Sequence, residues 1–399
     1  MSVSRGIEAS MRNSSWIRRM FEEGGRLKEQ HGAKNVYDYT LGNPSLNPPL
    51  QLQQKLQELA SRPSPGMHGY MHNAGFPHIR ENVARHLNIL YGLEKPLTES
   101  HVIMTCGAAG GLNVIFRAVL NPGEEVIVPT PYFVDYGFYV DNHGGKLVPV
   151  KTKENFQLDL EAIKAAITPQ TKAILINSPN NPTGVIYSRK ILEKLQVILQ
   201  ERLEKQGQYI YLIADEPYTG IVFDNAVVPP VLQIFPGGVS TSSYSKSLGL
   251  AGERIGRIAI GPQNPYAEAL FNAMTFSNRT LGFVNASATW QLAIIGMHDL
   301  VVGLEEYQAR RDILYRELTA LGFQMQKPQG TFYLFPQSPI ADDVKFCQKA
   351  LEYLLLLVPG SGFAGPGYFR MSFSSISQEQ IYASLGAFKQ LAKYYGLSS

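Results

Sequence analysis

The stretch SSYSKSLGLAGERIGR, residues 242–257, decides how this chain is read. Lys246 sits in it beside hydroxyls, with small residues on both sides and Arg254 eight positions on. A primary amine attacks a carbonyl only when unprotonated, so a lysine used that way needs surroundings that lower its pKa. Val239 to Tyr244 reads as a strand ending at this loop, and Ile255–Ile260 as the next strand. Ser243 and Arg254 then reach one anion beside Lys246, a hydroxyl and a planar fork together. The plain alternative is a solvated lysine in a Ser/Gly loop, and the flanking sequence has to decide.

Upstream, the same arrangement recurs. His101–Thr105 reads as a strand, after which Gly107-Ala108-Ala109-Gly110 opens a helix with Leu112, Ile115, Phe116 and Val119 on its apolar face. The free N–H groups of such a helix start form an anion site, or simply a tight helix entry. EEVIVPTPYFVDY is a strand ending at Pro129–Pro131, with Phe133 just beyond; GKLVPV is another. Ala173–Asn177 runs into SPNNPTG, and Tyr209–Ala214 into Asp215. Gly107–Ala109, Phe133, Asn181, Asp215 and the Ser243–Lys246 loop therefore each lie just past a strand end. In open α/β sheets that edge binds ligands. The alternation from about 100 to 262 predicts an α/β fold: a large domain with a mainly parallel sheet covered by helices on both faces.

The two chain ends read differently. Trp16, Ile17, Met20, Phe21 and Leu27 have helical spacing, and TLGNPSLNPP then turns the chain at Gly42. From about 290 come a helix Leu304–Leu321, the strand TFYLFP, a helix Val344–Leu356, the strand YFRMSF and a last helix capped by Ser377 with Gln380. This predicts a smaller α+β domain built from residues 1–45 and 291–399, beside a large domain over 46–290. GSGFAG, residues 360–365, matches G-x-G-x-x-G, but a helical run precedes it and Pro366 and a strand follow, so it is rejected as a nucleotide site.

Composition narrows the classes. At 399 residues, one large and one small domain are expected. The formal charge of +3 gives no footprint for nucleic acid or a membrane surface. Cys106 and Cys347 make neither a disulfide framework nor a metal cluster, and no metal site is expected. No run approaches a membrane span and the N-terminus lacks an apolar signal core, so a soluble, cytoplasmic protein is expected.

Taken in order, these segments resemble class I/II, fold-type I pyridoxal-phosphate (PLP) aminotransferases, the aspartate aminotransferase-like family, over nearly the whole chain. The lysine segment, Asn177–Gly184 (N-x-P-x-N-P-T-G), Tyr70–Arg80 (Y-x-x-x-x-G-x-x-x-x-R) and Arg370 in YFRMSF carry the resemblance. It implies that Lys246 holds PLP as a Schiff base and then moves the Cα proton. Gly107, Ala108, Ala109, Ser243, Ser245 and Arg254 would hold the phosphate. Phe133, or Tyr132 if the register slips by one, would stack on the pyridine ring. Asp215 would keep the ring nitrogen protonated, and Asn181 and Tyr218 would bond the phenolic oxygen. Arg370 would clamp the substrate α-carboxylate, with Gly42 and Asn181 beside it. Tyr70 would belong to the neighbouring subunit's site, implying a homodimer with shared sites.

The implied reaction moves an amino group between an L-amino acid and a 2-oxo acid in ping-pong fashion; a carbon–sulfur β-lyase shares every one of these contacts. Ala109 stands where one subgroup has a lysine for a distal carboxylate. Arg279, 33 residues after Lys246, is near where another subgroup has an arginine from the partner subunit, and its alternative is a solvated loop charge. An aspartate- or glutamate-using enzyme is expected, with an aromatic or neutral donor open.

Overall fold

Short apolar, β-branched runs bounded by Gly, Pro and Asn make the strands, and their order fixes which side chains meet. The computed structural model describes residues 3–12, 16–62 and 65–397; positions 1, 2 and 13–15 of the N-terminal segment lie outside the described residues. β1 (Tyr37–Asp38) stands apart from the main sheet. β2 (Val102–Thr105), β3 (Glu125–Thr130), β4 (Lys146–Lys151), β5 (Thr171–Asn177), β6 (Tyr211–Asp215), β7 (Val239–Ser243) and β8 (Gly256–Ile260) form one seven-stranded sheet, in the order β2-β8-β7-β6-β5-β3-β4. The pairs β3–β4, β3–β5, β5–β6 and β6–β7 are parallel, whereas β8 is antiparallel to both neighbours. The sheet is mainly parallel, as expected, with one reversed strand.

That reversal positions the site. The carboxyl ends of β2, β3, β5, β6 and β7 share one edge, and β8 begins at that same edge because it runs the other way. Arg254, two residues before β8, therefore arrives next to the loop that follows β7. Helices cover both faces. Leu175 and Ile213 pack with Leu112 and Ile115 of the helix Gly107–Val119 on one side. Ile174, Ile176 and Leu212 pack with Leu192 and Leu195 of the helix Arg189–Gln206 on the other. Each such buried Ile or Leu contributes about 2 kcal/mol, so the central strands are the rigid part of the scaffold.

β9 (Tyr333–Leu334), β10 (Leu355–Leu356), β11 (Val358–Pro359) and β12 (Phe369–Ser372) build the second unit. β11, β12 and β9 form an antiparallel sheet, and β10 pairs in parallel with β1, so the two chain ends are joined by backbone hydrogen bonds. Their core holds Tyr39, Leu314, Phe332, Phe346, Phe369 and Phe388, and it takes Tyr218, Ile221 and Phe223 from the segment after β6. The last helix, Gln378–Tyr394, has the expected capping box between Ser377 and Gln380.

Two boundaries differ from the sequence expectation. The helix predicted over Val344–Leu356 spans Asp343–Leu351 and ends there; Leu354 has φ +59, and Leu355–Leu356 are extended as β10. Pairing with β1 outweighs the helix propensity of the leucine run. A strand, β11, consequently precedes GSGFAG, but the motif itself forms only a four-residue 3-10 turn, Gly360–Phe363, and the strand β12 rather than a helix follows. Asp343 accepts hydrogen bonds from the N–H of Ser361 in that turn (2.6 Å) and of Gly367 just beyond the motif (3.4 Å), so the Ser361 donor is already used. Among the described residues, no helix is long and apolar enough to cross a membrane.

Candidate active site

A cavity of about 330 Å³ opens at the shared sheet edge, lined by residues from both units. Lys246 enters it from a single helical turn, Tyr244–Ser247, directly after β7. Its amine donates to the Gly42 carbonyl (2.7 Å) and lies 5.5 Å from the centre of the Phe332 ring. Burial first, then the positive charges of Arg370 and Arg254, bring its pKa down to about 8. A buried lysine without a carboxylate partner is a poor structural element and a usable nucleophile.

Asp215 closes β6. Its Oδ2 accepts from the Tyr136 hydroxyl (2.6 Å), while its Oδ1 is buried with no hydrogen-bond partner. Burial raises its pKa to about 7, partly offset by the Tyr136 bond. Asn177 braces the same corner: its Nδ2 donates to the Asp215 carbonyl (2.9 Å) and its Oδ1 accepts from the Asn181 N–H (2.7 Å). The Tyr218 and Tyr333 hydroxyls bond each other at 3.1 Å.

Arg370, on β12, is 2% exposed. Its Nη1 donates to Asn181 Oδ1 (3.1 Å) and its Nη2 to the Thr40 carbonyl (2.6 Å), and its Nε has no partner. The guanidinium lies 4.4 Å from the Tyr333 ring centre and 4.5 Å from that of Phe363. No carboxylate neutralises it among the described residues.

The phosphate-turn candidates converge at the other end of the cavity. Gly107 has φ +72, and a Cβ there would stand 2.7 Å from Arg254 Nη2, so glycine lets the arginine reach the helix start. Arg254 donates to the Ala251 carbonyl at 2.9 Å, and Ala108, Ala109, Ser243 and Ser245 line the wall nearby. Phe133 lines the cavity and Tyr132 does not. Gly42 must also be glycine, since a Cβ there would overlap the Tyr333 hydroxyl.

Two candidates stay apart from this cavity. Tyr70 is 97% exposed. Arg279, in the last turn of the helix Ala267–Thr280, lies on the surface over the exposed Phe276 ring, 5.2 Å from its centre. Tyr136, Tyr139, Asn177 and Tyr333 line the cavity and had no role in the sequence reading. Asn177 opens the N-x-P-x-N-P-T-G motif, which was its available signal; nothing in PYFVDYGF singles out Tyr136.

The model of the family described as aminotransferase class I and II matches residues 34–388. An aspartate/prephenate aminotransferase of Thermus thermophilus is 33% identical over 362 residues, covering 88% of this chain and 90% of the relative. An aspartate aminotransferase of Thermotoga maritima is 32% identical, over 86% and 88%. An aminotransferase structure from Eubacterium rectale superposes with TM-score 0.94 at 36% identity, covering 99% of each chain. The Thermus thermophilus aspartate aminotransferase crystallised with maleate superposes with TM-score 0.86 at 28% identity, over 98% of this chain and all of that one. The chain belongs to the class I and II aminotransferases and is an enzyme of that activity.

Proposed function

We propose that this aminotransferase, whose family implies PLP, carries that cofactor on Lys246 and takes its amino-acid substrate on Arg370. One observation supports this above the others. A single cavity holds a buried amine of lowered pKa, a buried carboxyl with one unpartnered oxygen, and a buried guanidinium with no carboxylate.

The residues present fit the cofactor. Arg254, the N–H groups at Ala108 and Ala109, and the Ser243 and Ser245 hydroxyls suit its phosphate. Asp215 Oδ1, orphaned in the protein alone, suits a protonated ring nitrogen; a cation there favours the carboxylate against the burial that raises its pKa. Phe133 supplies an aromatic face, and Asn181 and Tyr218 supply groups for the phenolic oxygen. When bound, PLP supplies the electron sink for the bond broken at the substrate Cα.

The chain's own residues do the rest. Arg370 fixes the α-carboxylate with its unpaired N–H and sets the Cα toward Lys246. A free Lys246 amine takes the Cα proton, and a pKa near 8 leaves part of it unprotonated at neutral pH. The same steps in reverse load the 2-oxo acid.

Three further readings rest on this one. We read residues 1–45 and 291–399 as the small domain and 46–290 as the large one. Tyr70, 97% exposed in one chain, is assigned to the site of a second copy in a homodimer acting in the cytoplasm. The donor is aspartate or glutamate: relatives are named for aspartate, and Arg279, remote from its own chain's cavity, supplies the distal charge across the dimer.

The assignment is tested by loading the protein with PLP, reducing it with borohydride and mapping peptides. A pyridoxyl group on Lys246 is expected; label on another lysine rejects the assignment.

A further inference from the structure

A second cavity, of about 160 Å³, lies behind the Lys246 turn. It shares Pro217 and Ser243 with the active-site wall and is otherwise lined by Thr219, Ser247, Arg257, His298 and their neighbours. Arg257 projects from β8 and is 7% exposed, and its Nη1 is buried without a hydrogen-bond partner. It forms no ion pair among the described residues. A guanidinium that has lost its water and is hydrogen-bonded to no acid is costly to keep, so it calls for an anion.

From these observations we propose that this cavity binds a small oxoanion, a carboxylate or phosphate group, on Arg257. The surrounding charges permit it. The His298 ring is held between the Tyr244 hydroxyl (Nδ1, 2.8 Å) and Asn82 Oδ1 (Nε2, 2.7 Å). Asp299 is at the exposed mouth, paired with His86 at 3.2 Å. Glu216 lies outside the lining and its Oε2 accepts from Tyr91 and Ser240; burial pushes its pKa up, with those hydrogen bonds and the nearby Arg257 charge acting the other way, and it makes no ion pair with Arg257.

The location gives the site a consequence. The Val302 N–H donates to the Ser247 carbonyl (2.8 Å), tying the segment that leads into the helix Leu304–Ala320 onto the turn carrying Lys246. Val301 and Ser247 both line the cavity, so an occupant contacts the turn and that segment at once.

Crystals of the PLP-loaded enzyme soaked in selenate test the proposal. An anomalous selenium peak within hydrogen-bond reach of Arg257 Nη1 is expected; a cavity holding only water, or selenate only elsewhere, overturns it. In solution, inorganic phosphate at a hundredfold its Kd should raise the melting temperature of the loaded enzyme saturably, by about 3 °C for a chain of this size. Arg257→Lys should keep part of that rise and Arg257→Gln none. A rise undiminished in Arg257→Gln overturns the proposal, and if that variant does not fold, the selenate map decides.

Discussion

Arg311 and Arg370 are the two largest fully buried side chains among the described residues, and they are provided for in opposite ways. Arg311 donates through Nη1 and Nη2 to both oxygens of Asp224 (2.8 and 2.9 Å), pairs with Asp312 at 2.8 Å, and stacks 4.7 Å from the Phe223 ring centre. Arg370 also lies against aromatic rings, yet its partners are an amide oxygen and a peptide carbonyl, both neutral. The first arginine has its counter-charge inside the chain and fastens the segment after β6 to the helix Leu304–Ala320. The second leaves the counter-charge to be supplied from outside. Burial alone does not distinguish structure from function; the missing anion does.

Replacing each arginine by methionine separates the two roles. For Arg370→Met, we expect kcat/KM to fall about a thousandfold, about 4 kcal/mol of lost carboxylate recognition, with melting temperature unchanged or higher. Half-reaction rates and a thermal melt measure this; a destabilised but active variant would erase the contrast. Arg311→Met should do the reverse. Its unfolding free energy should drop by about 2–3 kcal/mol, below the full cost of a broken buried pair because the Asp224 side chain is 48% exposed to screening water. Denaturant titration reads the loss, and activity per folded molecule should remain.

The smallest expected effect lies at Lys246. The uncompensated charge of Arg370 helps hold this amine near pKa 8, so its protonated form is disfavoured in the folded protein. In PLP-free enzyme, the pH dependence of amine labelling at Lys246 should show a midpoint near 8. Arg370→Met should move that midpoint upward and Arg311→Met should leave it alone. An equal response to both would mean that burial by itself sets the pKa.

Much of this was readable in the chain. Alternating strands and helices gave the sheet, and residues just past strand ends marked the edge where the cavity opens, because both follow from local pattern. Tyr136 was not readable: its link to Asp215 spans 79 positions and exists only once β3 and β6 are placed with β5 between them. Tyr333 was seen as part of a strand, but its hydroxyl matters through Tyr218 and the glycine opposite it, both distant in sequence. The helix expected through Leu356 failed for a related reason. A leucine run specifies burial, and only the pairing with β1 decides that it is extended.

The Arg370 site also has a place in time. A chain leaving the ribosome presents its amino-terminal part first. All the strands of the seven-stranded sheet, with Lys246, Asp215 and Arg254, have been made by Ile260, whereas Arg370 is synthesised 110 residues later and then has to meet the Thr40 carbonyl near the other end. On the proposed assignment, substrate capture is therefore acquired after the cofactor residues have been gathered, so an unfinished chain that already holds them cannot yet turn over the cell's amino acids.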